Sequence, residues 1–571
     1  MHDKLDITQH NKLDVTRRNI LDITQHNKLN IAHHDKLVYN HDKNEMSNRG
    51  TDRTMATPSE KLAQSLEVLN ELQKKNRNGA IQTKDITRTH RERLLDNGFI
   101  REVIKGWYIP TRPDEVRGES TAWYASYWKF MSDYLDERFG EDWCLSAEQS
   151  ISIHAGNRIV PSQLLVRSPK AHNNLTNLIH DTSLLEVKGG IPPISDIENK
   201  EGIQIMKLPK AFIECFPGYY LQSPIDARAA LTMFRDASEL LVKLLEGGHS
   251  LIAGRLAGAF RNIGRDRISD DILKTMQSAG YDVRENDPFT EKLSFGISLR
   301  DISPYVSRIR LMWQHMRTAV LENFPKPQGL PKNMSLYMKQ VDEVYVTDAY
   351  HSLSIEGYQV TPELIERVRS GTWRPDSVKA DMEQKNALAA RGYWQAFQAV
   401  KVSIEKVIHG ENAGKVVDED HGTWYRELFA PSVTSGIIKP SDLAGYRNDQ
   451  VFIRGSKHTP LNRDALRDAM PVFFELLAEE IEPSVRVVLG HFIFVYIHPY
   501  MDGNGRMGRF LMNTMLASGG YPWTVIPVER RPDYMAALEK ASVEQDIIPF
   551  TKFLAELVKS KTASLYLATG I

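Results

Sequence analysis

Residues 483–520 read PSVRVVLGHFIFVYIHPYMDGNGRMGRFLMNTMLASGG. Pro483 suits a helix start, and Val485, Val488, Leu489, Phe492, Val495 and Tyr496 recur at helical spacing. They cover most of a helix circumference, so the stretch predicts a core helix ending near His498. RMGRFLMNTMLAS predicts a second helix, stopped by Gly519, Gly520 and Pro522. The glycine-rich loop HPYMDGNGRMGR, His498 to Arg509, is thus mounted between two packed helices.

The loop also raises a problem of charge. Gly503 and Gly505 allow successive backbone N–H groups to converge, which together with a helix N-terminus makes an anion cradle. Arg506 and Arg509 share one face of the first turn. Cations at the positive end of a helix dipole are unfavourable by about 0.3–1 kcal/mol each, so the pair implies a polyanion such as a triphosphate. Asp502 offers a hard oxygen ligand for Mg²⁺, and His498 is placed to take a proton from an attacking hydroxyl.

A second charge anomaly lies upstream. Residues 335–357, SLYMKQVDEVYVTDAYHSLSIEG, predict a helix ended by Gly357, which leaves Glu356 at the negative end of its dipole. Ser352 and Glu356 are four residues apart and share a face.

The spacing HPxxDGNGRxxR, with Tyr500 where the commonest form has Phe, resembles the Fic family signature, and the resemblance runs from about Lys332 to Leu557. It implies a mostly helical domain that transfers the AMP of ATP to a hydroxyl side chain of a protein target, which could be the chain itself. By resemblance His498 is the general base and Asp502 the Mg²⁺ ligand. Gly503, Asn504 and Gly505 cradle phosphates, while Arg506 and Arg509 hold the β- and γ-phosphate regions.

The same resemblance makes GYRNDQVFIRGSKHTP a β-hairpin flap that docks the target, with Val451, Phe452 and Ile453 as its first strand. It makes Tyr534, in RRPDYMAAL, a residue of the adenine site. The pattern SxxxEG matches the family's inhibitory helix, which implies that Ser352 and Glu356 restrain the site, Glu356 through a bidentate pair with Arg509. In some relatives this glutamate positions water to remove AMP. Other relatives transfer UMP, phosphocholine or phosphate; Gly505 stands where the phosphate-transferring branch typically carries Lys.

The N-terminal part divides further. Residues 1–55 hold an octapeptide repeat with Leu5, Leu13, Leu21, Leu29 and Leu37 in register, a period that suits no helix stripe and suggests a disordered tail. Over residues 56–118, a leucine-spaced helix after Ser59, a short AIQTKDI, the helix TRTHRERLLDNG and the hairpin FIREVIKGWYIP predict a winged helix-turn-helix. Its second helix would offer Arg88, His90, Arg91 and Arg93 to DNA, with Lys105 at the wing tip. RERLLDNGFIREVIKGWYI resembles the winged helix of AbiE-type antitoxin regulators, so a DNA-binding regulator that uses the Fic site as a nucleotide sensor competes with an enzyme.

Residues 119–320 read as an α/β middle domain, distantly similar to the domain that follows in those regulators, with His154 structural and KGGIPPISDIENKEG an exposed loop. NFPKPQGLPKN, residues 323–333, reads as the linker to a helical Fic domain at 332–557. The expected fold class is therefore multidomain and mainly α.

Composition bounds the rest. Net charge is −1 and 25% of residues are charged, so no global field recruits nucleic acid or membrane. Cys144 and Cys215 are the only cysteines, which fits a reducing cytoplasmic compartment and excludes a disulfide framework. The apolar run Val485–Ile497 contains Arg486 and is too short to span a membrane.

Overall fold

The structure is a computed structural model that describes residues 57–76, 79–115, 119–290, 303–372 and 381–569. The octapeptide repeat lies outside the described residues. Among the described residues no helix is long and apolar enough to cross a membrane.

The N-terminal region contains α1 (Pro58–Asn76), β1 (Ile81–Gln82), a single 3-10 turn, α2 (Arg88–Asp96), and the antiparallel pair β2 (Ile100–Ile104) and β3 (Trp107–Pro110). Gly106 turns the pair at φ 85°, and the sheet order is β1-β3-β2. Leu69, Ile81, Ile86, Leu94, Ile100 and Tyr108 close its core.

The middle region starts with α3 (Thr121–Phe139), β4 (Cys144–Leu145) and α4 (Ala147–His154), then β5 (Gln163–Ser168), β6 (Leu175–Asn177) and β7 (Ser183–Lys188). These strands order as β4-β5-β7-β6, with β5 parallel to β7. The segment expected to be an exposed loop holds β8 (Ile197–Lys200), which pairs with β9 (Ile203–Met206) about the positive-φ pair Glu201-Gly202. Its glycines and prolines masked a strand that alternates only over four residues. Helices α5 (Leu208–Glu214), α6 (Tyr219–Gln222), α7 (Pro224–Leu231), α8 (Ser238–Gly247), α9 (Ser250–Asn262) and α10 (Asp266–Ser278) follow.

The C-terminal region is helical: α11 (Pro304–Asn323), α12 (Met334–Ile355), α13 (Pro362–Arg369), α14 (Asp381–Ile408), α15 (Ala413–Thr434), α16 (Arg463–Glu479), α17 (Pro483–Ile497), α18 (Asn504–Ser518), α19 (Arg531–Val543) and α20 (Ile548–Thr569). In α17 every residue except Pro483, Arg486 and Val495 is buried, which is why its sequence is apolar all round.

No break in packing separates the middle region from these helices. One core runs from Cys144 through α11 to Val558. Arg308 on α11 is 1% exposed, forms an ion pair with the buried Asp226 of α7, and donates to Tyr496 Oη of α17 at 3.0 Å. Arg317 grips Glu480 with two bonds of 2.9 Å. Residues 324–333 are irregular, as their prolines require, yet they are pinned: Gln328 N–H donates to Gly519 O at 3.0 Å.

Candidate active site

Helix α17 ends in an abrupt turn at His498, whose φ of 56° is uncommon outside glycine. The turn is held by Arg447, a residue that sequence reading passed over. Its Nε donates to His498 O at 2.7 Å, Nη1 to Asp449 O at 3.0 Å and Nη2 to Leu461 O, while its own N–H donates to Pro499 O at 2.9 Å. Arg447 is 2% exposed, and burial depresses its pKa to about 10. A buried guanidinium whose bonds go to backbone carbonyls is a staple, here joining the loop after α15 to the loop after α17.

The imidazole of His498 is fixed in tautomer as well as place. Nδ1 lies 3.1 Å from Val495 O, and a carbonyl only accepts, so Nδ1 carries the proton and Nε2 keeps a free lone pair. Burial lowers its pKa to about 4, so the ring is neutral at pH 7 and able to accept a proton.

The loop folds onto itself. Gly503, at φ 82°, starts α18 and donates to Asp502 Oδ1 at 2.6 Å. Asn504 was expected to help cradle phosphate, but its side chain is used up: Oδ1 accepts from Tyr500 N–H at 2.9 Å and Nδ2 donates to Tyr500 O at 2.8 Å. It shapes the loop and leaves only backbone for a ligand. Tyr500 stacks on Tyr425 with ring centroids 3.8 Å apart.

Both arginines of α18 are buried, Arg506 at 1% and Arg509 at 3% exposure. Arg506 lies between the rings of Tyr358 and Phe429, at 5.2 and 5.1 Å, with Asp502 3.3 Å away. Arg509 Nη2 donates to Glu356 Oε1 at 2.7 Å and to Ser352 O at 3.0 Å, and Nε donates to Ser352 Oγ at 2.8 Å. The expected bidentate pair is therefore a shared one, with Ser352 taking the edge that a second carboxylate oxygen would have met. Arg509 Nη1 and Arg506 Nε are buried without a hydrogen-bond partner among the described residues. Two unsatisfied guanidinium N–H groups at a helix N-terminus mark a site built for an anion.

Glu356 also fills the cradle. A Cβ on Gly505 would stand 2.3 Å from Glu356 Oε1, so the carboxylate reaches the glycine where a phosphate would sit. Helix α12 is anchored to keep it there. Arg531 Nε donates to Ile355 O at 2.9 Å, Val528 N–H to His351 Nδ1 at 3.1 Å, and Tyr393 Oη to Asp348 Oδ2 at 2.6 Å. Burial raises the pKa of Asp348 to about 6.

Three other expectations meet the structure. Tyr534 is 1% exposed and its hydroxyl donates to His491 Nε2 at 2.7 Å, because Nδ1 of that ring is given to Gly508 O at 2.8 Å. Its ring packs against Phe550 and Phe553, with centroids 6.2 and 6.0 Å away. Val451, Phe452 and Ile453 form no strand; the loop turns at Arg454 and Gly455, and Gln450 Nε2 donates across it to Pro460 O at 2.9 Å. Finally, His90 Nδ1 and Arg93 Nη1 lie 2.9 and 2.8 Å from Ser65 Oγ, and both side chains are half-buried against α1. Arg88 and Lys105 remain exposed, and Arg88 pairs with Glu92 at 2.6 Å.

Residues 422–516, from within α15 to α18, match the Fic/DOC family. The chain carries a Fic domain. Two curated relatives are each named protein adenylyltransferase Fic. The one from Drosophila willistoni is 31% identical over 229 residues, covering 39% of this chain and 42% of that protein. The one from Nematostella vectensis is 27% identical over 266 residues, covering 46% and 58%. The chain thus spans about half the length of the curated relatives it matches. Among solved structures, Fic-1 from C. elegans aligns with 61% of this chain and 99% of its own at 17% identity and a TM-score of 0.35. Within the Fic domain the match covers His498, the glycine loop and both arginines, whereas Glu356 and Ser352 lie upstream of it.

Proposed function

We propose that this chain is a self-inhibited transferase that moves AMP from ATP to a hydroxyl side chain of a protein. The observation that carries the reading is Arg509: buried, held on one edge by Glu356 and Ser352, and left with Nη1 unpartnered beside an anion cradle.

The chemistry follows from the residues present. The acceptor oxygen forms a bond to the α-phosphorus as the bridging α–β bond breaks; pyrophosphate leaves, and the hydroxyl proton goes to His498 Nε2. A neutral imidazole of fixed tautomer suits that step. The backbone N–H groups at the start of α18 and the two guanidiniums stabilise charge on the phosphates, where phosphoryl chemistry gains most of its acceleration. Mg²⁺ fits as a companion of the nucleotide: Asp502 is 64% exposed, its Oδ1 bonded to Gly503 N–H and its Oδ2 3.3 Å from Arg506 Nη2, and its open side would hold an ion that neutralises phosphate charge.

Inhibition follows from Glu356. While it occupies Arg509 and the space over Gly505, the terminal phosphate has no seat. In this reading the N-terminal region docks a protein target or binds DNA, with Arg88 and Lys105 exposed on it. The test is transfer of label from ATP carrying it on the α-phosphate: Glu356→Gly should label strongly and wild type weakly.

A further inference from the structure

The loop between α15 and α16, which its resemblance to the Fic flap makes the segment expected to dock the acceptor, has two unlike sides. On its outgoing side Phe452 is 40% exposed, and neither its N–H nor its carbonyl bonds anything among the described residues. Its tip and returning side are fastened. Arg454 forks onto Glu119, with Nε to Oε2 at 2.8 Å and Nη2 to Oε2 at 2.5 Å, and Gly455 N–H donates to Thr121 Oγ1 at 2.9 Å. Val160 N–H donates to Lys457 O at 2.9 Å, Lys457 Nζ to Ser162 Oγ at 3.1 Å, and Lys457 N–H to Glu539 Oε1 at 2.9 Å.

Glu119 is the hub of this fastening. Its side chain is 10% exposed while that of Arg454 is 68% exposed, so the loop reaches out to a carboxylate that is itself held in place. Thr121 Oγ1 donates to Glu119 Oε1 at 2.6 Å, and Arg101 Nη1, on β2 of the N-terminal sheet, donates to Glu119 O at 3.1 Å. A docking edge that is ordered in advance spares the acceptor the loss of loop entropy on binding. Val451 O accepts from Gln450 Nε2 at 3.1 Å and Ile453 O from Ser456 N–H at 3.1 Å, so the N–H and carbonyl of Phe452 between them give an extended acceptor a single place to pair.

We propose that Glu119 is a positioning residue for acceptor binding: it anchors the tip of the loop so that the Val451–Ile453 side is presented as a preset edge. Through Arg101 the N-terminal region is joined to the same anchor. The proposal rests on the transfer reading given above, and its test separates the two.

The experiment uses the full chain in the Glu356→Gly background, with the His498→Ala chain as acceptor in trans, and compares Glu119→Ala, Arg454→Ala and the double variant. Arg454 is exposed, so its variant leaves the core intact. Backbone hydrogen exchange across residues 450–458 should quicken by about tenfold in each. KM for the acceptor should rise by about fivefold or more with kcat unchanged, and the double variant should match the singles, as for partners in one contact. Unchanged exchange in both single variants overturns the anchor. Faster exchange with an unchanged acceptor KM overturns its positioning role, as does a fall in kcat alone. A Glu356→Gly parent that transfers nothing overturns the transfer reading instead, and exchange then decides the anchor by itself.

Discussion

Ser352 and Arg509 are joined twice, by Nε to the serine hydroxyl at 2.8 Å and by Nη2 to its carbonyl at 3.0 Å, so helix α12 holds the arginine by more than its glutamate. Removing the hydroxyl leaves the carbonyl bond and the Glu356 contact in place. Ser352→Ala should therefore raise AMP transfer about tenfold to 100-fold, the worth of one hydrogen bond to a charged group, and less than Glu356→Gly does. Initial rates of labelling for the two variants, side by side, check the order.

Arg447 should matter more than its place outside the glycine loop suggests. Its donors hold the carbonyls of His498, Asp449 and Leu461, and Lys cannot reproduce that fork. In the Glu356→Gly background, Arg447→Lys should slow single-turnover transfer by about 100-fold, because small misplacements of a catalytic base are costly. Nucleotide affinity, measured by titration, should change little, since the arginines and the cradle are untouched.

The Arg308–Asp226 pair makes the middle region and the Fic domain one cooperative unit. Both side chains are buried, and α11 ties α7 to α17 through them. Asp226→Ala strands a buried cation and should cost about 3–5 kcal/mol. Denaturant unfolding followed by two probes, one in each region, should shift as a single transition.

Stability should fall as the solution is acidified from pH 6.5. His498 and His491 have pKa values lowered by burial to about 4, and that of His458 is lowered to about 3. The unfolded chain binds protons on these rings below about pH 6.5 and the folded chain does not, so stability rises with pH across that window. At pH 5 each ring should cost about 2 kcal/mol relative to pH 7. Asp348, raised to about 6, acts in the opposite direction and offsets about one ring. Thermal midpoints at pH 7, 6 and 5 check the sign.

The parts of the site legible in the sequence were those that violate a local rule. Arg506 and Arg509 stand at the wrong end of a dipole, and so does Glu356; the structure brings Glu356 against Arg509, with Arg506 on the same turn of α18. The α17–loop–α18 unit was legible because its apolar stretch is long and glycines flank α18 at both ends. What stayed hidden depends on partners distant in the chain. Nothing local distinguishes Arg447 from a surface arginine, and no spacing joins Arg308 to Asp226. The hydroxyl of Tyr534 meets His491 only after three helices pack. The strand expected at Val451–Ile453 from the resemblance to a flap failed for the converse reason: with no ladder beside these residues the backbone stays irregular.

The most direct test of the account is the intact mass of the protein after incubation with ATP and Mg²⁺, comparing wild type, Glu356→Gly, and Glu356→Gly with His498→Ala. The account predicts a gain equal to one or more AMP groups on Glu356→Gly, far less on wild type, and none on the double variant. A Glu356→Gly protein of unchanged mass, or a double variant that gains as much as the single, would contradict it.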